Sequence, residues 1–265
     1  SLMGAADSAC YAAKEAGRNR IQFYHEDDAA LQQRRGEMQW VTRIPRGIRE
    51  NRFALALQDI VPMTPRLTQR HVELLLRYLD QDGQWISPQV FLPAAERYSL
   101  ATLLDRWVFV QLAHLLETQP RLREEGIVFN VNLSGQSVTN DEFRQFLIYQ
   151  ITSRHLPAAS ICFEITETSA ITNLQRAKDF IEALRELGCR FALDDFGSGL
   201  STFGYLKGLP VDYIKIDGQF VRDIVQDEMD FAIVKSINEV GHVLGKQTIA
   251  ECVEDPLTLA MLAEC

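Results

Sequence analysis

The sequence has no block of lysines and arginines. Its 27 basic residues are outnumbered by 36 acidic ones, for a formal net charge of −9. Duplex nucleic acid is held largely by phosphate neutralisation, so this balance excludes a duplex binder of the usual kind. An acidic chain can still take a phosphate ester, provided cations sit between the two. The five cysteines, Cys10, Cys162, Cys189, Cys252 and Cys265, include no C-x-x-C pair, which removes the commonest thiolate metal and redox motifs. Cys162 and Cys252 read as buried thiols inside apolar strands, and the setting as reducing and cytoplasmic. No long hydrophobic run is present either. The most apolar helical stretch, 103–116, is broken by Asp105 and Arg106, and no signal peptide or membrane segment is visible. The opening Ser-Leu reads as a cloning remnant.

What is there is ordinary for a globular protein: 265 residues, 46% hydrophobic and 24% charged, enough for one large α/β domain or two medium ones. Residues 5–17 read as a short helix stopped by Gly17, and 20–24 as a short strand. The charged stretch from His25 predicts a linker or connecting helix over 25–46. From Phe53 the pattern changes. Apolar runs at 53–57, 72–78, 127–133, 161–165, 191–193, 213–216 and 248–250 alternate with amphipathic segments. One, over 173–187, has Asn173 as N-cap, Ala177, Ile181 and Leu184 on one face, and Gly188 as its stop. Another, over 228–244, aligns Ile233, Ile237, Val240 and Leu244 ahead of Gly245. Such alternation predicts parallel strands covered by helices: an α/β fold, a (β/α)8 TIM-like barrel, with a doubly wound sheet as the alternative. The first two runs have no helix between them, which predicts one antiparallel strand. No eighth strand can be counted, and the chain stops at Cys265 inside a seventh helix.

Residues two apart in a strand share a face. That rule aligns Glu73 with Leu75 and Arg77, and Asn130 with Asn132 and Ser134. It likewise aligns Cys162, Glu164 and Thr166; Ala192 and Asp194; Tyr213, Lys215 and Asp217; Ile249 and Glu251. If the strands close on a common interior, Glu73, Glu164, Asp194, Asp195 and Glu251 converge there with Asn132 and Lys215. Singly, Glu73 or Glu251 fits a rim salt bridge and Lys215 a snorkelling lysine. Together they amount to five negative charges against one positive, which is costly when buried. Two divalent cations would balance them. Oxygen donors without His or Cys select hard ions, Mg²⁺ or Mn²⁺, over Zn²⁺. The Asp194-Asp195 pair then has a role: Asp194 points inward to bridge both ions and Asp195, at the turn, reaches one of them. Gly197 and Gly199 let the backbone fold sharply.

These residues lie in motifs that resemble the EAL-domain cyclic di-GMP phosphodiesterases. In the family's order they are ALQDIVP, ELLLR, FLPAAE, NVNLS, FEITE, ALDDFGSGLSTFGYLKGLPVDYIKID and IAECVE, spanning about 53–262. ADSACYAAKEAGRNRIQFY, within 1–24, resembles the end of a GGDEF (diguanylate cyclase) domain. The division expected is therefore a GGDEF remnant at 1–24, a linker at 25–46 and an EAL barrel at 47–265, without its last strand and helix. The resemblance implies hydrolysis of cyclic di-GMP to linear pGpG by a water activated between two cations. Glu73, Asn132, Glu164 and Asp194 would hold the first metal, and Asp194, Asp195 and Glu251 the second. Lys215 would contact the nucleophilic water, and Glu167 would position the loop after Asp195. Gln58, Arg77, Ser134, Asp217 and Glu254 match substrate-groove positions. A homodimer is allowed by such barrels, although no residue pattern specifies one. Three departures stand out: Leu74 for the signature alanine, Cys252 for the usual glycine after Glu251, and the missing last strand. The reading from another class is a silent cyclic di-GMP receptor or interaction module. An unrelated metal-dependent barrel would leave the shared motif order unexplained.

Overall fold

The computed structural model describes residues 29–64, 69–119, 121–122, 125–198 and 203–265. In chain order it has α1 (Ala29–Arg49), β1 (Phe53–Ile60), β2 (His71–Leu79), β3 (Trp85–Ile86), α2 (Pro88–Arg97), α3 (Ala101–Thr118), β4 (Val128–Leu133), α4 (Gly135–Val138) and α5 (Asp141–Ser153). Then follow β5 (Ile161–Thr166), α6 (Glu167–Thr172), α7 (Leu174–Arg185), β6 (Arg190–Phe196), β7 (Tyr213–Ile216), α8 (Gly218–Arg222), α9 (Glu228–Val243), β8 (Gln247–Ala250) and α10 (Pro256–Leu262). The sheet order is β1-β2-β4-β5-β6-β7-β8, with β3 on the flank of β2. β1 runs antiparallel to β2, as expected, and β2 through β8 are parallel along that path.

The sheet is curled. His71 on β2 and Tyr213 on β7 have three strands between them, yet their rings meet edge-to-face at 5.1 Å. The curl follows from two apolar faces of different kinds. Outward residues such as Leu74, Val131, Phe163, Phe191, Leu193 and Ile214 are fully or nearly fully buried under the helices. On the inward side Val128, Cys162, Ala192 and Tyr213 form a separate, smaller apolar cluster with Ile249. Strands buried on both sides need this near-continuous apolar character. Among the described residues no pairing joins β8 back to β1. The barrel expected without its last strand is therefore present as a curled, mostly parallel sheet whose edge strands β1 and β8 do not pair among the described residues.

Several local expectations change. The remnant expected at 1–24 lies outside the described residues. The segment expected at 25–46 as a linker or connecting helix contains helix α1, which continues past residue 46 and packs Trp40 and Ile44 against Phe53, Tyr78 and Phe91. Cys252 lies beyond β8 and not inside it. On α9 the expected Ile237 is buried and Ile233 and Leu244 pack on the core, while the most buried face also takes in Val234 and Gly241. β3, only two residues long, had no periodicity to reveal it.

Phe163 is fully buried, with the Phe109 ring at 5.9 Å and the Phe191 ring at 5.5 Å. Phe163→Ala should therefore cost about 3–5 kcal/mol in urea unfolding. A loss below about 1 kcal/mol would mean that this layer is not tightly packed.

Candidate functional site

Lys215 Nζ sits at the centre of the inward polar residues. It lies 2.7 Å from Glu251 Oε1, 2.8 Å from Glu164 Oε2, 3.1 Å from Asp194 Oδ1 and 3.5 Å from Glu73 Oε2. These five groups come from β7, the end of β8, β5, β6 and β2, so the curl brings together what the sequence separates by up to 178 positions. Asn132 joins through its amide, which donates to Glu73 Oε1 at 2.8 Å. Burial works against the Lys215 ammonium. Glu164, Asp194, Glu73 and Glu251 overrule it and hold the Lys215 pKa above the ordinary lysine value. Burial pushes the Glu164 carboxyl up to about 8, with Lys215 pulling it down and Glu73 and Asp194 pushing it up. Asp195 and Glu251 are raised too, first by burial, with Asp194 adding to each.

Asp195 reaches the cluster through a local irregularity. Alternation alone would turn it away from the Asp194 face. The β6–β7 register slips between Leu193 and Phe196, and Asp195 takes φ 52°, in the left-handed region. That bulge lets two successive carboxylates serve one basin, and aspartate tolerates the conformation better than most residues. Asp194, Asp195 and Glu251 each offer an oxygen, and the three oxygens lie within 4.8 Å of one another.

A divalent cation fits this donor set. Asp194 Oδ1 is buried and receives no hydrogen bond. Its 3.1 Å approach to Lys215 has the length of an ion pair without a hydrogen bond's direction. An anionic oxygen left this way, beside other carboxylate oxygens and no nitrogen or sulfur donor, suits a hard cation.

Glu167 stands apart from the cluster. It is buried at the start of α6 and accepts from Gly197 N at 3.0 Å and from the Tyr205 hydroxyl. It thereby ties the residue after the bulge to one eight positions later. Tyr205 escaped the sequence reading because nothing periodic connects it to Glu167, 38 residues away. The groove candidates are more scattered. Gln58 is exposed and pairs in register with Glu73, so it shares that inward face. Arg77 donates to the Leu76 carbonyl. The Ser134 hydroxyl donates to Asp105 at 2.7 Å and caps α4, so it is engaged within the protein. Asp217 caps α8 through Gln219 N, and Glu254 is exposed after β8. Asp105, missed from the sequence, also takes Ser134 N and Ser137 Oγ, anchoring the end of β4.

Cys252 has φ 55°, which explains a preference for glycine there. Its bulk is accommodated by Gly218: a Cβ at 218 would lie 2.3 Å from Cys252 Sγ. The thiol also meets Arg222 Nη2 at 3.3 Å. Leu74 points to the helix-covered core, away from Glu73.

The profile of the EAL domain family matches residues 41–265. The chain is 39% identical over 254 residues to cyclic di-GMP phosphodiesterase PdeB of Shewanella oneidensis, covering 96% of this chain and 30% of that protein. Against cyclic di-GMP phosphodiesterase PdeF of Escherichia coli it is 33% identical, covering 81% and 28% respectively. The chain thus spans about a third of the length of these relatives. Among solved structures it resembles the FimX EAL domain of Pseudomonas aeruginosa bound to c-di-GMP, with TM-score 0.77, 31% identity and coverage of 85% and 90%. It also resembles the PaMucR phosphodiesterase in its c-di-GMP complex, with TM-score 0.78, 26% identity and coverage of 85% and 91%. Among the described residues no helix is long and apolar enough to cross a membrane.

Replacing Lys215 by methionine strips the carboxylates of their ammonium. In EDTA, Lys215→Met should lose about 3–5 kcal/mol of stability, as a broken buried ion pair does. Mn²⁺ should recover part of that loss. Equal stability of parent and variant in EDTA would show that the cluster does not depend on this cation.

Proposed function

The chain is a member of the EAL domain family, and on that premise we propose that it hydrolyses one phosphodiester bond of cyclic di-GMP, giving linear pGpG. The observation that carries this reading is the ring of Glu73, Glu164, Asp194 and Glu251 around Lys215, with an Asp194 oxygen left without a donor. Glu73, Asn132, Glu164 and Asp194 would hold one Mg²⁺ or Mn²⁺, and Asp194, Asp195 and Glu251 a second. When bound, such a pair neutralises the cluster and acidifies a water for in-line attack at phosphorus.

The chain's own residues do the rest. The strand ends fix the carboxylates before any ligand arrives, so little reorganisation is left for the reaction. Lys215 orients the attacking water and stabilises charge gathering on the phosphoryl oxygens. Glu167 holds Gly197, and with it the chain just past Asp195. Gln58, Arg77, Asp217 and Glu254 would line the groove for the dinucleotide; Ser134 contributes by shaping the end of β4, given its engagement with Asp105. The curled sheet fits seven strands of a (β/α)8 barrel. Residues 1–24 fit the end of a GGDEF domain by their ADSACYAAKEAGRNRIQFY motif, and the composition fits a cytoplasmic domain.

Glu73→Ala removes a first-cation ligand without removing core volume. Turnover of cyclic di-GMP should fall by at least roughly 100-fold while the melt stays cooperative, since even outer partners of a metal site cost that much. Near-parent turnover would refute the assignment. Ca²⁺ in place of Mg²⁺ or Mn²⁺ should support no hydrolysis, because its looser coordination misplaces the water; brisk turnover with Ca²⁺ would count against the two-ion site. Binding of cyclic di-GMP by the parent without turnover would make it a receptor instead.

A further inference from the structure

Below the carboxylates, inside the curl, runs a column of polar side chains that the hydrolytic reading does not use. Arg190 Nη1 meets Gln69 Oε1 at 2.6 Å and the Tyr213 hydroxyl at 2.9 Å. Tyr213 OH lies 3.5 Å from His71 Nε2, His71 Nδ1 lies 3.3 Å from Asn130 Oδ1, and Asn130 Nδ2 lies 2.7 Å from Glu164 Oε1. Asn130 is completely buried.

The order of donors in this column is fixed by chemistry. Ionised, as a bound cation would keep it, Glu164 can only accept, so Asn130 turns its NH₂ to Glu164 and its carbonyl to His71. Burial lowers the His71 pKa, and a neutral His71 that donates to the Asn130 carbonyl carries its proton on Nδ1, leaving Nε2 to accept from Tyr213. Tyr213 in turn accepts from the Arg190 guanidinium, a donor without acceptor capacity. Every proton points toward Glu164. Chains aligned in this way polarise one another and strengthen the last bond. Packing does not demand the column: Val128, Cys162, Ala192 and Ile249 fill the same interior with apolar atoms. A fully buried asparagine and its histidine partner are costly there unless the hydrogen bonds they make matter.

We infer that Asn130 is a positioning residue, braced from below by His71, Tyr213 and Arg190, that pins Glu164 Oε1 so that Oε2 alone is presented to the cation basin. This inference rests on the metal reading above. Asn130 never touches the substrate or the reacting atoms; it acts through Glu164, as outer partners of metal ligands do.

The test is Mn²⁺ binding to the whole chain without nucleotide, followed by electron paramagnetic resonance. Asn130→Leu keeps the volume and deletes the donor. It should weaken Mn²⁺ binding by about 10–100-fold. Raising Mn²⁺ should restore its turnover, with KM for cyclic di-GMP unchanged, whereas Glu73→Ala should not be restored. A folded Asn130→Leu with the parent's Mn²⁺ affinity would overturn the inference. Should that variant lose its cooperative melt, His71→Phe carries the test, since it keeps the ring against Tyr213 and removes the Nδ1 proton. It should weaken Mn²⁺ binding about tenfold, the low end of the range for such partners; unchanged affinity would again overturn the inference. A parent chain that binds no Mn²⁺ would remove the metal reading and this one together, whereas a binding parent with an unaffected variant removes this one alone.

Discussion

A single buried ammonium cannot balance the carboxylates gathered around it. With Glu73, Glu164, Asp194 and Glu251 within 3.5 Å of Lys215, and Asp195 beside them, the formal sum is five negative charges against one positive. Buried ion pairs seldom add stability against an apolar alternative, so stabilising the fold does not account for this cluster. The rest of the chain is arranged to tolerate it. Outward strand residues carry the apolar core under the helices, which frees the inward positions to be polar. The curl then decides which polar residues meet, since β2 and β7 can share a basin only if the sheet bends back on itself.

The same constraint explains the irregular backbone at the rim. Two of the ligand candidates, Asp194 and Glu251, are each followed by a residue in the left-handed region, Asp195 at φ 52° and Cys252 at φ 55°. In both places the chain must turn sharply while the carboxylate stays aimed inward. Such residues cost of order 1–3 kcal/mol and persist where the surroundings over-determine them. At Asp195 the turn brings in a further carboxylate. At Cys252 it places a thiol against Gly218, where nothing larger than glycine would leave room, so a departure that looked hazardous in isolation is matched by a small residue across the gap.

Strand alternation made much of this site legible. It aligned Glu73, Asn132, Glu164, Asp194, Lys215 and Glu251, and it put Asn130 on the Asn132 face, while His71 falls just outside the apolar run at 72–78. Alternation reports a face, however, and not a height. In register Glu73 pairs with Asn130, and Asn132 with Glu164, so the stagger between strands decides which residues form the mouth and which the floor. Asp195 could not be read in this way, since a bulge reverses its side. Tyr205 and Asp105 lay beyond reach because they come from segments whose packing no periodicity records.

Glu164 is where floor and mouth meet. Its Oε1 takes the Asn130 amide and its Oε2 takes Lys215, so a single carboxylate links the polar column to the basin. Burial first, and the neighbouring Glu73 and Asp194 charges after it, drive this group toward its protonated form against the pull of Lys215. A protonated Glu164 would surrender one of its two acceptor roles. Donors from both sides oppose that outcome, and a divalent cation at Oε2 would oppose it more strongly than an ammonium can, having twice the charge. The column therefore gives the site a carboxylate whose orientation is settled before the cation arrives, and leaves the cation's charge to settle its ionisation.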